Sequence, residues 1–163
     1  MDIKKTMQDA INRQINAEFF SAYQYLAMAA YFEDLSLKGF AHWMRKQAEE
    51  EVGHGMKLYN FVLDRNGRVE LKQIAAPKGS WKNTLEVAQH ALEHEKNVTQ
   101  MIANLVELAK KEKDKAAEVM LDWFVNEQVE EEDNANTLAD QVKLCGEGHG
   151  LFILDRELAN RKE

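Results

Sequence analysis

The chain has 163 residues, of which 45% are hydrophobic and 30% charged, and this composition predicts a globular protein with one well-formed core. The net charge of −7 disfavours nucleic acid as a partner and favours cations. The chain has a single cysteine, no secretory signal at its start and no apolar stretch that could span a membrane, so we expect a cytoplasmic protein without disulfide bonds.

Two long helices are predicted in the first part of the chain. Apolar residues recur there at alternating steps of three and four, which is the spacing of one helix face. The first helix is expected from about Asp2 or Lys4 to about Asp34, and the second from a cap at Ser36 to about Asp64. Asn66 and Gly67 then predict the end of the second helix.

A long connection over residues 66–81 follows and contains the only proline of the chain. About 15 extended residues reach roughly 50 Å, whereas a helix of about 28 residues is about 42 Å long. The connection can therefore cross a whole bundle, which predicts that the second and third helices run parallel.

The second half of the chain predicts another helical pair and a short helix. The third helix follows a cap at Ser80 and ends near Lys113, and the fourth runs from a cap at Asp114 to Cys145. Glycines then interrupt the chain before a short fifth helix over residues 151–160. The predicted fold is all-α, with residues 1–163 forming a single domain that contains a four-helix bundle over residues 4–145.

One arrangement of polar residues occurs twice, once in each helical pair. The first copy consists of Glu18, Glu51 and His54. A shift of 77 residues leads to the second copy, which consists of Glu95, Gln128 and Glu131. The repeat predicts a pseudo-twofold axis that relates the two pairs of helices.

All six positions lie on apolar helix faces, so their side chains are predicted to point into the core. Buried Glu is rare unless it is paired, and an isolated buried carboxylate protonates or destabilises the fold. Structural ion pairs would require Lys or Arg on the same faces, and the middle of these helices has none there. Single Glu residues on two helices and Glu-x-x-His pairs on the other two are the ligands of di-metal carboxylate bundles. The pair Glu51 and His54 fits this pattern, whereas Gln128 and Glu131 depart from it.

The donor types favour iron. Carboxylate oxygens with one imidazole suit Fe(II), with zinc as a competitor. We expect Glu18, Glu51 and His54 to bind one ion, and Glu51, Glu95 and Glu131 to bind the other. Four carboxylates would neutralise two Fe(II) ions.

Other side chains are expected to support this centre. Gln128 is predicted as a hydrogen-bonding neighbour of the bound oxygen species or water, and Tyr25 as a hydrogen-bond donor or electron source. Glu50, Glu127 and Glu130 lie on a neighbouring face and form a candidate third iron site, with an ordinary solvated acidic face as the alternative. His90 and His94 are expected at the surface.

Several segments resemble bacterial non-haem ferritins, namely residues 16–26, 49–54, 94–95 and 127–131. The resemblance extends from about residue 6 to the last helix. It implies the ferritin-like fold, a shell of twenty-four subunits with octahedral symmetry, and ferroxidase activity, in which dioxygen or hydrogen peroxide oxidises Fe(II) and ferric mineral is stored inside. The family's di-iron ligands correspond to the six repeated positions, its third iron site to Glu50, Glu127 and Glu130, and its site tyrosine to Tyr25.

The related bacterioferritins differ at two positions. Their haem-binding Met is replaced by Val52, so no haem is expected, and their second motif ends in His where this chain has Glu131. The segment 151–154 is apolar on all sides, which predicts that the fifth helix packs among copies of the chain. The alternatives are a di-iron enzyme that acts on peroxide or an organic substrate, and a helical interaction module without catalysis.

Overall fold

The computed structural model describes residues 1–162 as five α-helices, and this part of the chain contains no strand. The helices are α1 Lys5–Asp34, α2 Lys38–Asp64, α3 Thr84–Glu112, α4 Lys115–Cys145 and α5 His149–Leu158. The all-α prediction is confirmed, and α5 begins and ends two residues earlier than expected. Among the described residues, no helix has the length and apolar character that crossing a membrane requires.

The connection between α2 and α3 crosses the bundle along α1. Near the start of α1, Asn12 Nδ2 donates to the carbonyl oxygen of Arg68 at 2.9 Å. Further along, Gln24 Nε2 donates to the carbonyl oxygen of Lys78, also at 2.9 Å. Residue numbers therefore rise in the same direction in α1 and in the loop. The hairpins α1–α2 and α3–α4 are joined by the predicted long crossover, which leaves α2 and α3 parallel.

The start of α2 is capped from a distant part of the chain, so the predicted cap at Ser36 is wrong. Ser36 lies in the preceding turn with a φ of 60°. The backbone N–H of Phe40 donates instead to Oδ1 of the buried Asp155 in α5 at 2.9 Å. A Cβ atom at Gly39 would lie only 1.6 Å from the Asp155 carbonyl oxygen, so the glycine allows α5 to approach α2 closely.

The second hairpin begins and turns at side-chain caps. Asn83, not the predicted Ser80, caps α3 by accepting a backbone N–H from its first turn at 2.9 Å. Asp114 caps α4 as predicted. The same carboxylate accepts two hydrogen bonds from Arg65 Nη1, at 2.8 and 2.9 Å, and this buried ion pair joins the end of α2 to the start of α4.

The apolar core consists of two clusters with a polar layer between them. One cluster includes Phe32 and Phe40, and the other includes Ile11 and Leu58. Along each of the four long helices, the inward positions between the clusters carry polar side chains that are at most 5% exposed: Glu18, Glu51, His54, Glu95, Gln128 and Glu131. The fold thus places both copies of the repeated arrangement in one buried layer.

Candidate metal centre

Three side chains from α1 and α2 form a compact group of potential metal ligands. One ligand atom from each of Glu18, Glu51 and His54 lies within 4.8 Å of the other two. His54 Nδ1 is 3.4 Å from Glu51 Oε2 and 3.9 Å from Glu18 Oε2. Glu51 and His54 share a face because they are three residues apart on one helix. The ring of Trp123 packs edge-on against His54, with 5.5 Å between the ring centroids.

Two carboxylate oxygens of this group lack hydrogen-bond donors. Glu18 Oε2 and Glu51 Oε2 are buried, and neither accepts a hydrogen bond from the described residues. The other oxygen of Glu18 accepts one from Gln14 Nε2 at 2.8 Å. Leaving a buried carboxylate oxygen unpaired is unfavourable, whereas a divalent cation between two such oxygens and an imidazole would satisfy them. The donor set therefore fits Fe(II).

Glu95 lies in the same layer and accepts hydrogen bonds from two further predicted site residues, Tyr25 and Gln128. Tyr25 Oη donates a hydrogen bond to Glu95 Oε1. Gln128 Nε2 is 3.3 Å from Glu95 Oε2 and equally far from Thr99 Oγ1. The carboxylate thus positions both the tyrosine and the glutamine that the sequence singled out.

Glu131 is the remaining carboxylate of the layer. Its Oε2 accepts a hydrogen bond from Gln47 Nε2 at 2.7 Å. Among the residues that the structure describes, the compact ligand group includes neither Glu95 nor Glu131. Both carboxylates accept hydrogen bonds from neighbouring side chains, and each keeps lone pairs that could bind a second ion.

Burial changes the acidity of this layer. It raises the pKa of Glu95 to about 7, and with the charge of Glu95 it also raises the pKa of Glu131 to about 7. Burial and the negative charge of Glu18 raise the pKa of Glu51 well above its usual range. The pKa of Tyr25 is raised as well, by burial and by Glu95, so its hydroxyl stays protonated. Near neutral pH the layer therefore holds protons that a cation can displace.

The three residues of the candidate third site lie beside this layer. Glu50, Glu127 and Glu130 line a cavity of about 630 Å³ together with Glu131. His54 connects the two regions, because its Nε2 atom is 3.8 Å from Glu127 Oε2. The cavity is also lined by Arg161, a residue that no pattern in the sequence marks as part of a site.

The expectation that His90 and His94 are surface residues is wrong, since both are half-buried. His94 Nε2 is 2.8 Å from Ser21 Oγ, and its ring packs edge-on against Tyr25. Burial lowers the pKa of His94 to about 4, so the ring is neutral. His90 Nδ1 accepts a hydrogen bond from Trp81 Nε1 at 3.1 Å.

Two glutamines beside the layer had no assigned role in the sequence reasoning. Gln14 and Gln47 are each four residues before a predicted ligand, Glu18 and Glu51 respectively, and both are buried. The sequence indicates them, because each lies one helical turn before an inward-facing acid. A buried amide at that spacing can donate a hydrogen bond to a carboxylate of the layer.

Comparison with known proteins identifies the family. Residues 8–145 match the ferritin family, described as a Ferritin-like domain. A bacterial non-heme ferritin of Bacteroides fragilis (strain 638R) is 42% identical over 159 residues, covering 98% of this chain and 99% of the relative. One from Staphylococcus haemolyticus is 42% identical over 160 residues, covering 98% and 96%.

Solved structures agree with this result. An open pore ferritin from the hyperthermophilic archaeon Archaeoglobus fulgidus superimposes with a TM-score of 0.97 and 48% identity, covering 99% of this chain and 100% of that chain. The ferritin-like fold and the resemblance seen in the sequence motifs are both confirmed. The chain belongs to the ferritin family.

Proposed function

We propose that this protein stores iron and is a ferroxidase, with a di-iron centre inside each subunit. The observation that supports this most strongly is the pair of buried carboxylate oxygens, on Glu18 and Glu51, that accept no hydrogen bond from the described residues and face His54. Such a group is costly in a metal-free core and favourable around a divalent cation. The names of the bacterial non-heme ferritins to which the chain is similar support iron as that cation.

We assign two Fe(II) ions to this centre as substrates. Glu18, Glu51 and His54 bind the first, and Glu51, Glu95 and Glu131 bind the second. The four carboxylates balance the charge of two Fe(II) ions, so the loaded centre is neutral. Oxidation to two Fe(III) ions leaves a net charge of plus two in a buried layer, which favours transfer of the product towards the mineral.

The proposed oxidation of Fe(II) balances in electrons and protons with either oxidant. Two Fe(II) ions give up two electrons, which reduce one dioxygen with two protons to hydrogen peroxide. Alternatively, the same two electrons reduce one hydrogen peroxide with two protons to two water molecules. Glu95 and Glu131, whose pKa values are about 7 in the metal-free layer, release their protons when they bind Fe(II), so the two protons consumed by the oxidant come from solvent water. Tyr25 and Gln128 hold Glu95 in place, and the Gln128 amide can offer an N–H to the oxidant.

We further propose that twenty-four such subunits, each one domain, assemble into an octahedral shell in the cytoplasm. Phe152 and Ile153 on α5 are 64% and 61% exposed in the isolated chain, which favours burial among neighbouring subunits. The single cysteine suits a reducing compartment. Electron microscopy of the purified particle tests the symmetry, and an arrangement other than octahedral would correct this part of the proposal.

A kinetic experiment tests the ferroxidase assignment. Glu51→Ala and His54→Ala should each assemble but oxidise Fe(II) much more slowly, measured as the initial rate of ferric absorbance after aerobic mixing. Glu49→Ala is the matched control, because Glu49 is exposed and pairs with Lys46 at the surface. Rates equal to the wild type in both site variants would refute the assignment.

The alternative of a di-iron enzyme with an organic substrate rests on one cavity. It has a volume of about 300 Å³ and is lined by Thr99, Ile102, Val125 and Gln128 among others, so it combines an apolar wall with a residue of the polar layer. Product analysis under turnover separates the two functions. Ferric oxide as the only oxidised product supports storage, and an oxidised organic product supports the alternative.

A further inference from the structure

The last turn of the chain lies against the start of α2. After α5, the backbone N–H of Arg161 donates to the carbonyl oxygen of Leu158 at 3.3 Å. His42 Nε2 donates to the carbonyl oxygen of Arg161 at 2.7 Å. The guanidinium carbon of Arg161 lies 4.7 Å from the centre of the Trp43 ring, so the side chain packs across this indole. These contacts fix the direction in which the Arg161 side chain extends.

The guanidinium group of Arg161 enters the acidic cavity. Its Nη2 atom donates to Glu50 Oε2 at 2.8 Å, and the arginine side chain is only 14% exposed. Of the described residues that line this cavity, Arg161 alone is cationic, against five carboxylates. They are Glu50, Glu127, Glu130, Glu131 and Glu157. Arginine stays protonated at all relevant pH values, so this positive charge is permanent.

The cavity is adjacent to the buried polar layer that holds the six repeated positions. Glu131 belongs to both, and His54 lies between Glu127 and Glu51, at 3.8 Å from one carboxylate and 3.4 Å from the other. A cation held by Glu50 and Glu127 would therefore be one side chain away from the centre. It would also have to share Glu50 with the guanidinium of Arg161 or displace it.

We propose that Arg161 is a resident counter-ion that controls the binding of a third Fe(II) ion in this cavity. The inference rests on the proposed function, because it assumes that the buried layer binds the first two ions. With the guanidinium on Glu50, a divalent cation meets a like charge and one carboxylate fewer, so the third ion binds weakly until the side chain moves away. Arg161 thus sets the order of filling, with the di-iron layer first and the acidic cavity afterwards. It acts as a specificity-determining residue and takes no part in the oxidation.

The test is anaerobic calorimetric titration of the assembled, metal-free protein with Fe(II) alone. In Arg161→Gln the third ion should bind about tenfold more tightly or better, since the repulsion is removed. Arg161→Met should do the same while it keeps an unbranched side chain on Trp43. Arg161→Lys keeps the charge and should resemble the wild type. Lys162→Gln removes an exposed charge at the next position in the sequence, and its third binding step should also match that of the wild type.

The outcomes of these titrations distinguish control of the third ion from a purely structural role of Arg161. If neither neutral variant tightens the third binding step, or if Arg161→Lys tightens it as much as they do, then Arg161 merely anchors the last turn and the inference is wrong. Thermal unfolding of the metal-free variants accompanies the titrations, because an anchoring role would lower the melting temperature and leave the third step unchanged. If the wild type itself binds no Fe(II) in its first two steps, the proposed function fails instead.

Discussion

Replacing Glu131 by glutamine tests whether the buried carboxylates are costly in the metal-free protein. The amide of the new side chain would retain an oxygen that can accept the hydrogen bond that Gln47 now donates to Glu131, so the local geometry has little reason to change. What the substitution removes is an ionisable group, whose pKa burial raises from 4.5 to about 7. Because the folded state binds this proton more tightly than the unfolded state, the contribution to stability is complete below about pH 4.5 and is lost as the pH rises through 7.

The expected size of this effect follows from the shift in pKa. A difference between 4.5 and about 7 corresponds to about 3 kcal/mol per chain, at about 1.4 kcal/mol per unit. Glu131 is only 5% exposed, so solvent screens this cost little. At pH 8 the metal-free variant should therefore be more stable than the wild type by about 3 kcal/mol, or about 6–12 °C in melting temperature for a chain of this size. At pH 5 the difference should fall below about 1 kcal/mol.

The assay is thermal unfolding of chelator-treated protein at pH 5 and pH 8, followed by far-ultraviolet circular dichroism. Asp133→Asn is the matched control, because Asp133 is exposed two residues further along α4 and loses the same charge. The control should show no gain at either pH. The reasoning is refuted if Glu131→Gln is no more stable than the wild type at pH 8, or if it gains equally at both pH values.

Three further predictions concern the centre and its scaffold. Titrating the metal-free protein with redox-inert Zn(II) at pH 6.5 should release at least one proton per chain, because the pKa values of Glu95 and Glu131 are about 7. The release is measured as a dependence of the calorimetric heat on the ionisation enthalpy of the buffer. Heats that do not depend on the buffer would contradict this prediction. Tyr25→Phe removes a donor to Glu95 and should slow Fe(II) oxidation about tenfold, the equivalent of one hydrogen bond of about 1.4 kcal/mol, while leaving the number of bound Fe(II) ions unchanged; an unaltered rate would exclude this role. Asp114→Ala leaves Arg65 buried without its carboxylate partner and removes the cap of α4. Urea unfolding should therefore show that the free energy of unfolding falls by about 3–5 kcal/mol. A decrease below about 1 kcal/mol would show that the pair contributes little to stability.

Periodicity explains why the fold could be predicted from the sequence. The four helices bury one face each, so their spacing is visible, and the repeat from Glu18 to Glu95 marks the two hairpins. Caps that act within one turn also follow from local sequence, as Asp114 does. The cap of α2 could not be found locally, because Asp155 is 115 residues from the N–H group it accepts. Asn83 is marked as the cap of α3 by Glu86 three residues later, a spacing that Ser80 lacks.

The candidate site was predictable where it repeats and less so elsewhere. A shift of 77 residues carries Gln14 to Ala91 and Gln47 to Phe124, so the internal repeat does not mark these two glutamines. Arg161 follows a short helix and belongs to no periodic stripe, and only the packing of α5 against α2 brings it to the acidic cavity. Contacts that depend on how separate helices dock remain invisible to spacing rules.

The most direct test of the di-iron centre is anomalous scattering at the iron edge from crystals loaded with Fe(II) under anaerobic conditions. The account predicts two iron peaks in each subunit within the buried polar layer. One should lie among Glu18, Glu51 and His54, and the other among Glu51, Glu95 and Glu131. Iron found only at the protein surface, with this layer free of anomalous signal, would contradict it.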